Sequence, residues 1–438
     1  MSEFPKICLA ELCDKITDGT HHSPSNSQTG EFKYITAKNI KPWGLDLSHL
    51  TYVDEVTHRE IYARCDVRKG DILYIKDGAT TGIAAINPLD EEFSLLSSVG
   101  VLRPGAALTS KYLLYALQEP ATKAKMMDGL AGVAITRLTL KKLGAAEIPV
   151  APLAEQTRIV AKLEELLSDL DAGVAELKAA QKKLVQYRQS LLKAAVEGAL
   201  TAEWRTQHQP LETGAQLLQR ILQERRARWE ARQLAKFAEQ GKTPPKDWQK
   251  KYPEPVQPDT TGLPELPQGW TWASVDQLCE SVRNGISKTP NKDEVGFPIF
   301  RINAVRPMAV NFSAIKHIEI SEGEAADYWV ESGDVLATRY NGSVDLLGVF
   351  AMVKDVPART LHPDKIFRMK AVTGAGLGGW MEISGNVGVS RSHLVSRVKT
   401  TAGQTGISGD DLKKTPIPLP PPMEQAFAIE QLNERLFG

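Results

Sequence analysis

The sequence predicts an α+β protein, in which two homologous α+β domains are joined by a long coiled-coil helical spacer. Three observations carry that prediction: an internal repeat of domain size, short apolar runs broken by turn residues inside each copy, and a seven-residue leucine period between the copies. The repeat is ordered. Leu12-Cys13 with Ile16 and Gly19 matches Leu278-Cys279 with Val282 and Gly285, and Phe4 matches Trp270. FKYITAKNI (32–40) then matches FPIFRINAV (297–305), and VRKGDIL (67–73) matches VESGDVL (330–336). Last, IPVAPLAEQTRIVAKLEELL (148–167) matches IPLPPPMEQAFAIEQLNERL (417–436), sharing Glu155-Gln156 with Glu424-Gln425. Four blocks in one order exclude chance similarity.

The first domain is assigned to 1–150. Its apolar runs, such as Ile72 to Ile75, sit between Gly, Pro, Asn and Asp, which reads as strands and turns, and a helical stretch from Ser110 to Met127 interrupts them. Gly70-Asp71 and Gly333-Asp334 predict the same turn before the same strand. The spacer is assigned to 151–240. Leucines at 163, 170, 177, 184 and 191 lie seven apart, and Val160, Leu167, Val174 and Ala195 take alternate core positions, so a coiled-coil seam is expected. Pro152 suits a first helical turn, because its missing N–H has no partner there in any helix. The helix is expected to reach Glu197, ahead of Gly198.

A second amphipathic helix is expected from Ala215 to Phe237, and ten basic against four acidic residues between Arg220 and Lys251 suit either a solvated face or phosphate contact. Seven prolines within 241–269 predict a stiff extended linker. The second domain is assigned to 270–416. Residues 417–438 repeat the start of the long helix for only its first turns.

Over 438 residues, 53 basic side chains balance 53 acidic ones, so a nucleic-acid role must rest on local patches rather than on a global field. Cys8, Cys13, Cys65 and Cys279 form no metal-ligand or disulfide pattern. The first six residues, MSEFPK, lack the apolar stretch of a secretion signal, and no long uncharged apolar run follows, so a cytoplasmic protein without membrane contact is expected. Catalytic signatures are missing as well: there is no phosphate-binding GxxxxGK[ST] loop and no HExxH. Gly374 to Gly379 satisfies GxGxxG, but no helical pattern follows and no acidic residue stands about twenty positions on to hold a ribose, so a flexible turn is expected. Glu176-Leu-Lys178 reads as coiled-coil surface, and His21-His22 as an exposed loop without further metal ligands.

Read together, ITDGTHHSPS (16–25), FKYITAKNI, the GDILYIKDG run, IPVAPLAEQTRIV (148–160), YRQSLLKAAVEGALTAEWR (187–205) and LPELPQGWTWASVDQL (263–278) resemble the specificity subunit of Type I restriction-modification enzymes. The resemblance spans nearly the whole chain. It implies a non-catalytic DNA-recognition subunit, with two target-recognition domains that each read one half of a split, asymmetric site in double-stranded DNA. It implies docking of methyltransferase (M) subunits on the helical spacer, along Leu163, Leu167, Leu170, Val174, Leu177, Leu184 and Leu191, with restriction (R) subunits joining them. S-adenosylmethionine, ATP and Mg are then expected on those partners, with no cofactor or metal in this chain. One departure is plain: the family pattern has a second long helix antiparallel to the first. Here only its first turns are present, so either the chain is truncated, or the 215–237 helix folds back on the seam, or another chain supplies the partner.

Side chains able to make paired hydrogen bonds to base edges are the expected DNA contacts. In the first domain these are Thr20, His21, Lys38, Asn39 and Lys76. In the second they are Arg283, Asn284, Arg301, Asn303, Arg339, Asn341, Arg391 and His393. Gly19, Gly78 and Gly342 are expected to form turns. The alternatives from other classes are a coiled-coil scaffold whose domains bind proteins without regard to DNA sequence, and an enzyme built around the 374–379 glycines.

Overall fold

A computed structural model of the chain describes residues 4–128, 137–291, 294–372, 375–401 and 404–437. The fold is α+β, and the chain divides into two compact units, Met1–Lys178 and Ala179–Gly438, the division falling inside the long helix.

In the first unit the strands Cys13–Asp18, Val99–Pro104, Ile72–Ile75 and Ala84–Ile86 lie side by side in that order. In the second, Cys279–Asn284, Ile366–Ala371, Val335–Thr338 and Phe350–Met352 lie in the same spatial order. Both sheets are antiparallel throughout. Each central strand is an unbroken apolar run because both of its faces are covered. Ile72 and Tyr74 pack towards Leu113 and Leu117, while Leu73 and Ile75 pack towards Ile35, Phe93 and Leu95. Val335 and Ala337 divide from Leu336 in the same way.

The turn ahead of each central strand is the one the repeat predicts. Gly70 and Gly333 adopt φ of +89° and +88°, a conformation that costs glycine no Cβ clash. The next residue locks the turn: the Arg68 N–H donates to the Asp71 carboxylate at 2.9 Å, and the Glu331 N–H to Asp334 at 2.8 Å. Each repeat is also closed by pairing its first strand with its last, Lys6–Cys8 with Glu147–Pro149 and Thr271–Ser274 with Pro416–Leu419.

Several expectations are corrected. The 110–127 stretch is two helices, Ser110–Gln118 and Pro120–Met127, because Pro120 cannot continue the first and instead opens the second, which Glu119 caps through the N–H groups of Ala121 and Thr122. Of the GxGxxG stretch, Gly374 lies outside the described residues, and the remainder is not a flexible turn: it opens the helix Ala375–Asn386, whose Trp380 and Met381 are core. The last turn of that helix admits only glycine at 385, where a Cβ would lie 2.3 Å from the Phe350 ring.

The long helix runs Leu153–Val196, about 66 Å at 1.5 Å per residue. Its two ends are anchored and its middle is bare. Val160 is buried in the first repeat's core, and Leu191, Leu192, Ala195 and Val196 are buried in the second unit's core. Leu191 therefore leaves the expected docking seam. By contrast Leu170, Leu177 and Leu184 are 61%, 61% and 66% exposed, and Leu163, Leu167 and Val174 are exposed too. The second helix, Gly214–Glu239, sends its Leu217 and Ile221 into the second unit's core.

Most of the basic run is already engaged. Arg225 is buried, donating to the Cys279 carbonyl at 2.9 Å and to the Tyr252 hydroxyl, while Arg220 pairs with Glu212, and Arg228 and Arg232 with Glu280. The proline-rich segment is strapped down rather than free: Trp248 stacks on Trp229 with ring centroids 5.8 Å apart. Among the described residues no helix is long and apolar enough to cross a membrane.

Candidate functional site

The sequence block FKYITAKNI builds one wall of a cleft. Strand Phe32–Ile35 pairs with Thr51–Val53, setting Tyr34 opposite Thr51. Thr36 then caps the single 3-10 turn Ala37–Asn39, its hydroxyl accepting the Lys38 N–H while the Asn39 side chain accepts the Thr36 N–H at 3.0 Å. The Asn39 amide donates to the carbonyls of Asp46 and His49, which pins the following loop. Across the gap, Thr20 bridges to Leu96 only because Gly19 has no side chain: a Cβ there would sit 1.9 Å from the Leu95 carbonyl oxygen. The result is a cleft of about 660 Å³ lined by Asn26, Gln28, Tyr34, Thr36, Lys38, His49, Thr51 and Ser98, among others. Buried on its floor, the Tyr34 hydroxyl has no hydrogen-bond partner among the described residues. Burial pushes its pKa up to about 12, so it stays a neutral donor.

The second repeat makes a cleft of about 580 Å³ from the matching segments. Phe297–Phe300 pairs with Ile315–Ile318, setting Ile299 opposite Lys316. A 3-10 turn, Ile302–Ala304, follows Arg301, and Ile286 bridges to Pro363 beside Gly285, where a Cβ would lie 2.0 Å from the His362 carbonyl oxygen. Lys288, Arg301, Asn303, Lys316 and Lys365 line it, with Asp364 as the one acidic lining residue among those described. The two clefts are therefore one feature made twice.

The structure brings together some of the expected contacts and not others. Lys38 and Asn39 line the first cleft, and Arg301 and Asn303 the second. Asn39 is buried and spent on the loop, whereas Lys38, Arg301 and Asn303 are exposed. Thr20 closes a local turn with His22 at the first cleft's border, and His21 lies 2.8 Å from Arg64. Lys76 is the clearest correction: it is 2% exposed, its ammonium 3.3 Å from both Asp18 and Asp77, so it is an internal ion-pair residue and no loop donor.

In the second repeat Arg283 pairs with Asp327 at 3.1 Å, and Asn284 is exposed at its strand end. Arg339 packs over the Tyr340 ring at 4.8 Å, and the Asn341 side chain accepts the Ser343 N–H. Arg391 is held by the carbonyls of Leu347 and Asp345, burial lowering its pKa, and His393 by the carbonyl of Asp411. Both border a separate cavity of about 900 Å³. Of the expected turn formers, Gly78 has φ of +100°, Gly19 serves close approach, and Gly342 needs neither.

Sequence reasoning missed Asn26, Gln28, His49, Thr51, Lys288, Lys316 and Lys365, which reach the clefts from segments far apart in the chain. Lys316 and Thr51 were detectable only by extending the repeat alignment past its matched block. Chemically the clefts offer hydroxyls, amides and cations at a concave surface, which suits hydrogen bonding to an anionic polymer. Among the described residues no group of His, Cys, Asp and Glu is placed to hold a metal ion.

Comparisons with known proteins find similarity to one family. Residues 1–179 match the Type I restriction modification DNA specificity domain. The chain is 28% identical over 408 residues to the Type I restriction enzyme EcoKI specificity subunit of Escherichia coli K12, covering 92% of this chain and 75% of that one. It is 23% identical to the StySPI specificity subunit of Salmonella potsdam, covering 99% and 81%. The fold matches the crystal structure of the HsdS subunit from Thermoanaerobacter tengcongensis with a TM-score of 0.53 at 16% identity, covering 99% of this chain and 90% of that one. A chain from a structural study of complex assembly and conformational transition of the type I R-M system matches with a TM-score of 0.62 at 15% identity and the same coverage.

Proposed function

The chain belongs to the specificity subunits of Type I restriction-modification systems, and on that premise we propose that it reads a bipartite, asymmetric site in double-stranded DNA, one half-site per repeat. The single observation that carries this reading is the duplicated cleft, framed by the same strands and turns in both repeats but lined by different side chains. A shared frame suits a shared task, docking on a duplex. Different linings suit different base sequences, since base-edge contacts specify while phosphate contacts only position.

The chain acts as a non-catalytic part of a cytoplasmic complex. Methyltransferase subunits dock on the exposed seam from Leu163 to Leu184, and restriction subunits join them. S-adenosylmethionine, ATP and Mg belong to those partners. The long helix sets how many unread base pairs separate the half-sites.

The test is selection from random duplex DNA by this chain, alone and with its cognate methyltransferase subunits, at one fixed salt concentration because phosphate contact alone gives affinity without sequence. Two short motifs at a constant gap are the expected outcome. Retention with no motif, methyltransferase present, would instead favour a scaffold that binds proteins through the exposed leucines.

A further inference from the structure

At three matched positions the clefts exchange a hydroxyl for a cation, while at a fourth, Lys38 against Asn303, the cation is on the first cleft. Thr36 and Arg301 each precede the 3-10 turn. Thr51 and Lys316 face the matching residues Tyr34 and Ile299 across the strand pair. The carbonyls of Ser98 and Lys365 each accept, at 2.9 Å, from the N–H of the matching residues Lys76 and Arg339. Three hydroxyls in the first cleft are thus three cations in the second.

The exchange at the turn is the most telling. In the first repeat Thr36 and Asn39 cap the turn reciprocally. In the second, Arg301 makes no side-chain cap and Ala304 stands where Asn39 would reciprocate. A helical turn without its cap is less stable, so local structure does not explain an arginine there. Nor does pairing: Arg301 is exposed, and no ion pair, hydrogen bond or ring contact to its guanidinium is found among the described residues. It stands at a cleft that carries a net excess of cations. A planar guanidinium free to make two parallel hydrogen bonds matches the O6 and N7 acceptors of guanine in the major groove, whereas flexible ammonium groups suit phosphate oxygens.

We propose that Arg301 is the guanine-reading side chain of the second half-site, with Lys316 and Lys365 holding the adjacent phosphates. The first cleft, with Thr36, Thr51 and Ser98 at those positions, reads its half-site without a guanine-specific cation there. This assignment rests on the half-site reading above.

The experiment uses the assembled complex with the methyltransferase subunits, carrying wild-type chain, R301A, R301K, R301T or K316A, and measures base preference at each position of the selected site. Wild type is expected to require guanine at a position of the second half-site. R301A and R301K should lower that preference about tenfold or more while leaving the first half-site motif unchanged. R301T, which installs the first repeat's capping residue, should stay folded and show the same loss. K316A should keep the preference, weaken all sequences alike and reduce the salt slope by about one. A second half-site without guanine, or a guanine preference that survives both R301A and R301K, overturns the assignment while leaving the half-site reading intact. Absence of any motif with wild type overturns both.

Discussion

Lys76 and Arg301 both looked like DNA contacts in the sequence, and the fold separates them completely. Each is a long cation beside polar neighbours, and nothing in either local segment announces whether a carboxylate will meet it. For Lys76 the decision is made by Asp18, which arrives on a strand 58 positions earlier in the chain, and by the buried end of that strand. Removing a buried cation strands the carboxylates it neutralised. Lys76→Met is accordingly expected to destabilise the protein by about 3 kcal/mol, the low end of such losses because Arg64 still reaches Asp18. Urea unfolding should register that loss, whereas the base preference selected by the first repeat should not change. Legibility at this scale was confined to backbone-driven residues: Gly70, Gly333, Asp71 and Asp334 were readable because a positive φ and a turn-closing carboxylate leave few choices of residue.

Among elements, the paired Glu-Gln signature shows how one motif serves two purposes. Gln156 is buried and ties the start of the long helix to its own repeat, donating to the Ala107 and Ala151 carbonyls at 2.8 Å and accepting the Thr109 N–H. Gln425 keeps one such bond, to Pro420. The glutamates diverge. Glu155 makes a surface pair with Arg158, whereas Glu424 is 1% exposed and accepts from the Thr201 hydroxyl, the Arg205 guanidinium and the Trp270 indole. That convergence accounts for the EGALTAEWR segment, which supplies Thr201 and Arg205, and for Trp270 at the mouth of the second repeat. Glu424→Gln should cost about 1.5–3 kcal/mol, the range for hydrogen bonds to a charged group, and thermal unfolding of the variant against Glu155→Gln, expected near neutral, measures it. The strands, the long helix and their order were legible because hydrophobic period and turn chemistry are local. The break at Pro120 was legible too, in a proline that cannot continue a helix, although the expected helical stretch ran through it; the helix inside the glycine stretch was not, since tertiary packing of Trp380 and Met381 decided it.

At the scale of the molecule, duplication is what the sequence disclosed most fully, and the clefts are what it disclosed least. Four matched blocks located both repeats. Yet each cleft is assembled from four separate segments, and only the fold shows that Thr36, Thr51 and Ser98 share a surface. The long helix carries the remaining expectation. Deleting one heptad from its exposed middle, between Leu170 and Leu184, keeps the apolar stripe in phase and shortens the helix by about 10 Å, or roughly three base pairs of duplex. The selected gap should shrink accordingly with both motifs retained, as sequencing of the bound pool would read out; an unchanged gap would mean the helix does not set the spacing.

The closing strands have a bearing on how the chain comes to be folded. Lys6 is made well before Pro149 and waits for it, and Thr271 waits for Leu419, so neither repeat completes its sheet pairing until its last strand has been synthesised. Such long loop closures are slow to form, and the first repeat has its full set of strands while the second is still being translated. Sequential emergence keeps Lys6–Cys8 from meeting Pro416–Leu419, the strand that occupies the corresponding place in the other repeat. Refolding the whole chain from denaturant removes that order in time and exposes both first strands to both last ones at once.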